Sequence, residues 1–177
     1  MRTIWTVPGI GNSGPDHWQS LWERHHPRVA RIEQDNWDEP RCADWVAAIE
    51  AALARSDEPP VLVAHSLGAL AVIHWASHSS TAVHGVVLVA TPDPQGPNFP
   101  AAARGFTPLP RTLRGRRALL IDSDDDPYGN PALTTALARD FHARRIELHR
   151  AGHINAASGL GAWDAGWQLV AEMANRG

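Results

Sequence analysis

Residues 61–70 read VLVAHSLGAL, an apolar run broken by one short polar turn. The first four residues are typical of a buried parallel strand, and residues 67–76 carry apolar side chains at helical spacing. Ser66 therefore falls at a sharp turn between a strand and a helix. A nucleophile elbow places its serine there and needs small residues two positions before and after it, which are Ala64 and Gly68. Because serine is also a common helix N-cap, the motif alone leaves a structural role open.

Strands and helices are predicted to alternate along the whole chain. Strands are expected at residues 3–7, 29–33, 61–64, 85–90, 117–123 and 145–149, and helices at 17–25, 41–55, 67–76, 130–141 and 163–175. Residues 91–114 contain six prolines and little periodicity, which predicts a long surface excursion. The alternation predicts an α/β fold, a doubly wound and mainly parallel sheet of about six strands with helices on both faces. We expect a single domain over residues 1–177.

Composition and charge exclude several classes of protein. The formal net charge is only −3, and the basic residues are scattered apart from Arg111–Arg117, so no extended cationic face is expected for nucleic acid. No apolar run reaches the ~20 residues that span a bilayer, and no signal-peptide pattern precedes the first strand. The single cysteine, Cys42, agrees with a reducing compartment. We expect a cytoplasmic protein without membrane, nucleic-acid or protein partners.

Two polar segments follow the last two predicted strands. Residues 122–126 read DSDDD after the fifth strand, and Gly152-His153 comes after the sixth. Because the carboxyl ends of parallel strands share one edge of a sheet, both segments should lie near Ser66. The order serine, acid, histidine along the chain is that of α/β-hydrolases. Most other histidines fall on helices or their ends, and His65, next to the nucleophile on a tight turn, is expected to point elsewhere.

The acidic run also permits two other interpretations. Asp122, Asp124 and Asp126 alternate like the start of an EF-hand loop, but the sixth position is Pro127 and the twelfth is Leu133, so the ligand loop cannot close. A phosphatase with an aspartyl nucleophile remains conceivable, although the chain contains no lysine to neutralise a phosphoaspartate. We predict no metal site.

The glycine loop supports a rival to the hydrolase interpretation. Residues 9–14 read GIGNSG, a literal G-x-G-x-x-G after the first strand, and Glu33 lies where a ribose-binding acid would be. Pro15 argues against this nucleotide-binding (Rossmann-like) alternative, because a packed helix already begins there in dinucleotide binders. In a hydrolase the same loop would supply the amide of Ile10, which completes an oxyanion hole with the amide of Leu67. A noncatalytic binding protein on the same fold is a third possibility.

These motifs together resemble the small serine hydrolases related to retinoblastoma-binding protein 9. The shared features are Val-Pro-Gly after strand one, His17-Trp18, Trp37 with Pro40, Ala-His-Ser66-Leu-Gly, Asp126-Pro-Tyr and Gly-His153. The resemblance implies a compact α/β-hydrolase fold in which Ser66 is the nucleophile, Asp126 the acid and His153 the base. It implies hydrolysis of small esters or amides. The retinoblastoma-binding motif Leu-x-Cys-x-Glu is absent, so that partner is not expected.

The predicted mechanism is acyl transfer through an acyl-enzyme, as in a carboxylesterase, without cofactor or metal. Bulky side chains are predicted to form a shallow pocket beside the nucleophile, namely Trp37, Phe99, Phe106 and Ile154 together with Leu109. The same side chains could equally pack the excursion onto the body of the protein. Residues 91–114 lack the apolar helical periodicity needed to cover a long acyl tunnel. We therefore expect a preference for small substrates with short acyl groups.

Overall fold

Buried apolar strands form the centre of a parallel sheet. The computed structural model describes residues 1–175, and this part of the chain contains the strands β1 (Ile4–Val7), β2 (Val29–Arg31), β3 (Val61–His65), β4 (Gly85–Val89), β5 (Ala118–Ser123) and β6 (Arg144–Leu148). Their order in the sheet is β2-β1-β3-β4-β5-β6, and every neighbouring pair is parallel. All residues of β3, β4 and β5 are buried, because helices cover both faces of the sheet.

The helices lie close to their predicted positions. They are α1 (Trp18–His25), α2 (Cys42–Leu53), α3 (Leu67–His78), α4 (Pro131–Asp140) and α5 (Asp164–Asn175), and a short 3₁₀ helix over Ala156–Ser158 was not predicted. Local sequence explains their starts: Asn130 accepts hydrogen bonds from the first amides of α4, and Pro131 needs no partner at that position. No helix in residues 1–175 is long and apolar enough to cross a membrane.

Two hydrophobic cores sandwich the sheet. On one face α2, α3 and α4 pack side chains such as Trp45 and Leu70 against the strands, and on the other α1 and α5 contribute Trp18, Trp22 and Val170. Residues 91–114 form neither helix nor strand, and Phe106 holds this excursion against the first core. The predicted architecture, a doubly wound parallel sheet covered on both faces, is confirmed.

Strand order reverses between β1 and β3, and this reversal locates the site. In a doubly wound sheet the connections leave in opposite directions at such a point, which opens a crevice beyond the carboxyl ends of the strands. The glycine loop follows β1 and Ser66 follows β3, so both segments lie at the crevice.

Candidate active site

Ser66 lies on a strained turn between β3 and α3. Its φ of 54° and ψ of −124° lie in a region that residues other than glycine rarely occupy. The backbone N–H of Ser66 donates to the carbonyl of Val89 on the neighbouring strand, which anchors the turn to the sheet. The Ser66 side chain makes no capping hydrogen bond to α3. Its hydroxyl is therefore available to a partner outside the helix, as a nucleophile elbow requires.

Two glycines let the first strand and its loop pack directly on this turn. A Cβ atom at Gly68 would lie 2.2 Å from the carbonyl oxygen of Val7 and 2.5 Å from that of Pro8. A Cβ atom at Gly9 would lie 2.9 Å from the Cβ of Ser66. Close approach to the serine therefore explains the first glycine of the G-x-G-x-x-G pattern.

His153 bridges Ser66 and Asp126. Its Nε2 lies 2.8 Å from the Ser66 Oγ, and its Nδ1 lies 2.9 Å from each carboxylate oxygen of Asp126. The backbone N–H of Tyr128 also donates to Asp126 Oδ1, which fixes the carboxylate. The Asp126 side chain is only 2% exposed, so its interaction with the imidazole is shielded from water. This arrangement has the geometry of a Ser-His-Asp triad.

The neighbouring aspartates have other partners. Asp124 accepts a hydrogen bond from the backbone N–H of Arg150, and Asp125 accepts one from the Ser123 hydroxyl and one from the N–H of Gly152. These bonds lower the pKa of both carboxyl groups, through the Arg150 amide for Asp124 and the Ser123 hydroxyl for Asp125. The bonds from the amides of Arg150 and Gly152 connect the loop after β5 to the loop that carries the histidine.

Asp122, the first acid of the run, is held away from any nucleophilic role. The guanidinium of Arg145 donates to both of its carboxylate oxygens. No group of three His, Cys, Asp or Glu within residues 1–175 is arranged to hold a metal ion.

The amides predicted to form the oxyanion hole lie at the same cavity as the serine. Ile10, Leu67 and Ser66 all line a cavity of about 460 Å³ beyond the sheet edge. Leu67 is the first residue of α3, so its N–H has no partner within the helix. Ile10 follows the glycine that contacts Ser66. The amides of Ile10 and Leu67 stay the predicted donors of the oxyanion hole.

The predicted pocket residues do not line this cavity. Phe106 is 1% exposed and packs its edge against Trp45, and Phe99 packs on Phe106 in turn. Trp37 also contacts Trp45, and Ile154 is fully buried in the core on the other face of the sheet. The interpretation of Trp37, Phe99, Phe106 and Ile154 as pocket walls was wrong, because Phe106 and Ile154 lie in the two cores and the partly buried Trp37 and Phe99 pack against the first core.

Smaller and more rigid residues form the walls. Besides the glycine loop, Ser66 and the two loop histidines His17 and His153, the cavity is lined by Pro92, Pro100, Tyr128, Ala156 and Ala157. The Tyr128 ring lies 4.6 Å from the His153 ring, centre to centre. Its position two residues after the acid, in the Asp-Pro-Tyr motif, was the sequence signal that could have identified it.

Two further histidines reach the site, and sequence reasoning gave them no function. The Nε2–H of His65 donates to the backbone carbonyl of His153 at 2.9 Å, and His65 also lines the cavity. His17 lines the cavity, and its Nδ1 accepts from the N–H of Gln19 at the start of α1. Burial lowers the pKa of His65 well below its usual value, and burial with nearby Arg31 lowers that of His17 to about 4.

Comparison with known proteins agrees with this geometry. The model of the family described as serine hydrolase matches residues 4–172, so the chain belongs to that family and is a hydrolase. This membership favours the hydrolase interpretation over the nucleotide-binding one. No curated protein matches the chain. The narrower resemblance to relatives of retinoblastoma-binding protein 9 stays a prediction.

Several crystal structures share the fold. A YdeN-like hydrolase from Pectobacterium atrosepticum is 31% identical, with a TM-score of 0.86 over 97% of this chain and 90% of that chain. The ydeN gene product of B. subtilis is 20% identical, with a TM-score of 0.76 over 99% and 100% of the two chains. A monoacylglycerol lipase from Paleococcus ferrophilus is 14% identical, with a TM-score of 0.71 over 97% and 93%.

Proposed function

We propose that this hydrolase cleaves small esters or amides with short acyl groups through an acyl-enzyme on Ser66. The observation that carries the proposal is the position of His153, which lies within hydrogen-bond distance of both the Ser66 hydroxyl and the buried Asp126 carboxylate. A serine hydroxyl is a weak nucleophile unless a base removes its proton as it attacks.

The first half of the reaction acylates the enzyme. His153 Nε2 takes the Ser66 proton while the Ser66 Oγ forms a bond to the substrate carbonyl carbon. The amides of Ile10 and Leu67 stabilise the resulting oxyanion, and the carboxylate of Asp126 stabilises the imidazolium. The tetrahedral intermediate then expels the alcohol or amine, which receives the proton from His153.

The second half releases the acid. A water molecule gives a proton to His153 and attacks the acyl carbonyl, and collapse of the second intermediate returns the proton to Ser66.

The cavity supports a small substrate. Its volume of about 460 Å³ is within the range of small-molecule sites. Pro92 and Pro100 are the residues of the 91–114 excursion that line it, whereas Phe99 and Phe106 pack against the body of the protein. The excursion therefore contributes two prolines to the cavity wall near Ser66, which supports a short acyl pocket.

The test is a series of p-nitrophenyl esters from acetate to decanoate, with Ser66→Ala as the control for background hydrolysis. Each buried methylene is worth about 0.8 kcal/mol, so a deep tunnel would raise kcat/KM roughly fourfold per carbon. We expect kcat/KM to level off or fall beyond butyrate. A maximum at octanoate or longer would contradict the short-acyl proposal.

A further inference from the structure

We propose that His65 and Trp18 are positioning residues that hold the loop carrying His153 in its reactive place. The inference rests on the proposed function, because it concerns the base of that mechanism. Neither side chain contacts the hydroxyl of Ser66 or the carboxylate of Asp126 by hydrogen bonding. Both side chains instead bind backbone carbonyls of the loop.

The two side chains donate hydrogen bonds to consecutive carbonyls of one loop. His65 Nε2–H donates to the carbonyl of His153 at 2.9 Å, and Trp18 Nε1–H donates to the carbonyl of Ile154 at 2.8 Å. Trp18 is 1% exposed and Ile154 is fully buried, so removing the indole donor would leave a buried carbonyl without a partner, which is unfavourable. His65 is 5% exposed and its bond to the carbonyl of His153 is partly buried, so removing this donor loses a hydrogen bond that holds the loop to the end of β3.

The loop conformation depends on such contacts. His153 lies between Gly152, with φ of 55°, and Ile154, with φ of 47°. The left-handed region is strongly unfavourable for a β-branched residue such as isoleucine. Such a backbone persists only where surrounding groups stabilise it. The carbonyl of Ile154 receives that stabilisation from the indole of Trp18.

The position of His65 links the base to the nucleophile. His65 is the last residue of β3, and Ser66 follows it directly on the elbow. The end of one buried strand therefore carries the serine and also binds the backbone of the histidine loop. This arrangement fixes the distance between Ser66 Oγ and His153 Nε2, which is 2.8 Å. Small errors in such a distance are costly, since proton transfer and attack both need close alignment.

His65 and His17, which lie near His153, also add no positive charge that would oppose the imidazolium formed during catalysis. The His65 ring lies 5.0 Å from the His153 ring and 4.8 Å from the His17 ring, centre to centre. Burial lowers the pKa of both His65 and His17, so both stay neutral near pH 7. A neutral His65 can hold the loop without repelling the imidazolium that forms on His153.

The experiment compares His65→Leu, His65→Gln and Trp18→Phe with Trp22→Phe as a matched control. Trp22 is also 1% exposed and lies on the same helix, but its indole donates to the carbonyl of Ala162, outside the histidine loop. Each variant is tested for kcat and KM on p-nitrophenyl acetate, for its rate of labelling by a fluorophosphonate, and for its Tm. The Tm values show how far each substitution destabilises the fold.

We expect His65→Leu and Trp18→Phe to lower kcat and the labelling rate about 10- to 100-fold, with a much smaller change in KM. Trp22→Phe should lower Tm about as much as Trp18→Phe yet keep kcat within about threefold of wild type. His65→Gln should recover most of the activity, because its amide N–H can reach the same carbonyl.

Two different failures can be distinguished. If wild type reacts but folded His65→Leu and Trp18→Phe keep wild-type kcat, or Trp22→Phe loses as much kcat as Trp18→Phe, the positioning role is overturned and the proposed function stands. If wild type neither hydrolyses the ester nor labels, the proposed function is overturned, and this inference with it. If His65→Leu does not fold, Trp18→Phe decides the outcome.

Discussion

Replacing Asp126 by asparagine should abolish most activity by changing the tautomer of His153. The N–H of Tyr128 donates to Asp126 Oδ1, so the amide oxygen of the new side chain should stay at that position. Its NH₂ group would then replace Oδ2, 2.9 Å from His153 Nδ1. An NH₂ group there favours the tautomer that carries its proton on Nε2, which cannot accept the proton of Ser66.

The expected magnitude is large. The substitution also removes the negative charge that stabilises imidazolium, and a triad with an amide in place of its acid loses about 10⁴ in kcat, or roughly 5.5 kcal/mol of transition-state stabilisation. Steady-state hydrolysis of p-nitrophenyl acetate measures the loss. Asp124→Asn is the matched control, since an asparagine oxygen can still accept from the N–H of Arg150, and it should change kcat by less than about threefold. Asp124→Asn proving as damaging as Asp126→Asn would refute this assignment of the acid.

Three further predictions follow from the elbow, the cavity wall and the first core. Gly68→Ala would place a Cβ 2.2 Å from the carbonyl oxygen of Val7, so the substitution should lower the free energy of unfolding by about 1–3 kcal/mol and reduce kcat. An unchanged denaturation midpoint would contradict this prediction. Because the pKa of His17 falls from 6.5 to about 4 in the folded protein, its contribution to stability is full above pH 6.5 and is lost as pH falls toward 4. His17→Asn, which can keep the capping bond to Gln19, should therefore reduce the acid loss of stability by about 1–3 kcal/mol, and identical pH slopes would exclude this linkage. Burial raises the pKa of Cys42 to about 12, so Ellman's reagent should react with the native thiol far more slowly than with the thiol of the unfolded chain. Equal reaction rates for the native and unfolded protein would contradict this prediction.

Sequence alone predicted the sheet and the approximate places of Ser66, Asp126 and His153, for physical reasons. Strands buried on both faces are continuous apolar runs, and β3, β4 and β5 are of this kind. Because parallel strands end at one edge, side chains that follow different strands had to converge there. Ser66, Asp126 and His153 do lie together. The choice of Asp126 among four acids needed the family resemblance, since the turn through Tyr128 that fixes its carboxylate is visible only in the structure.

The pocket walls could not be predicted in the same way. Residues 91–114 have no period, so their sequence does not indicate which side chains face the core. Phe99 and Phe106 pack inward, where burial of aromatic area is most favourable, and proline residues face the cavity. His65 was given no function for a related reason. The sequence does not show that the loop after β6 brings the backbone carbonyl of His153 to the imidazole of His65.

Fluorophosphonate labelling followed by peptide mapping tests whether Ser66 is the nucleophile. The reagent forms a stable adduct only with a serine whose hydroxyl is activated by a neighbouring base. We expect one adduct per chain, on Ser66, and no labelling of folded Ser66→Ala. An adduct on another residue, or labelling that persists in Ser66→Ala, would contradict it.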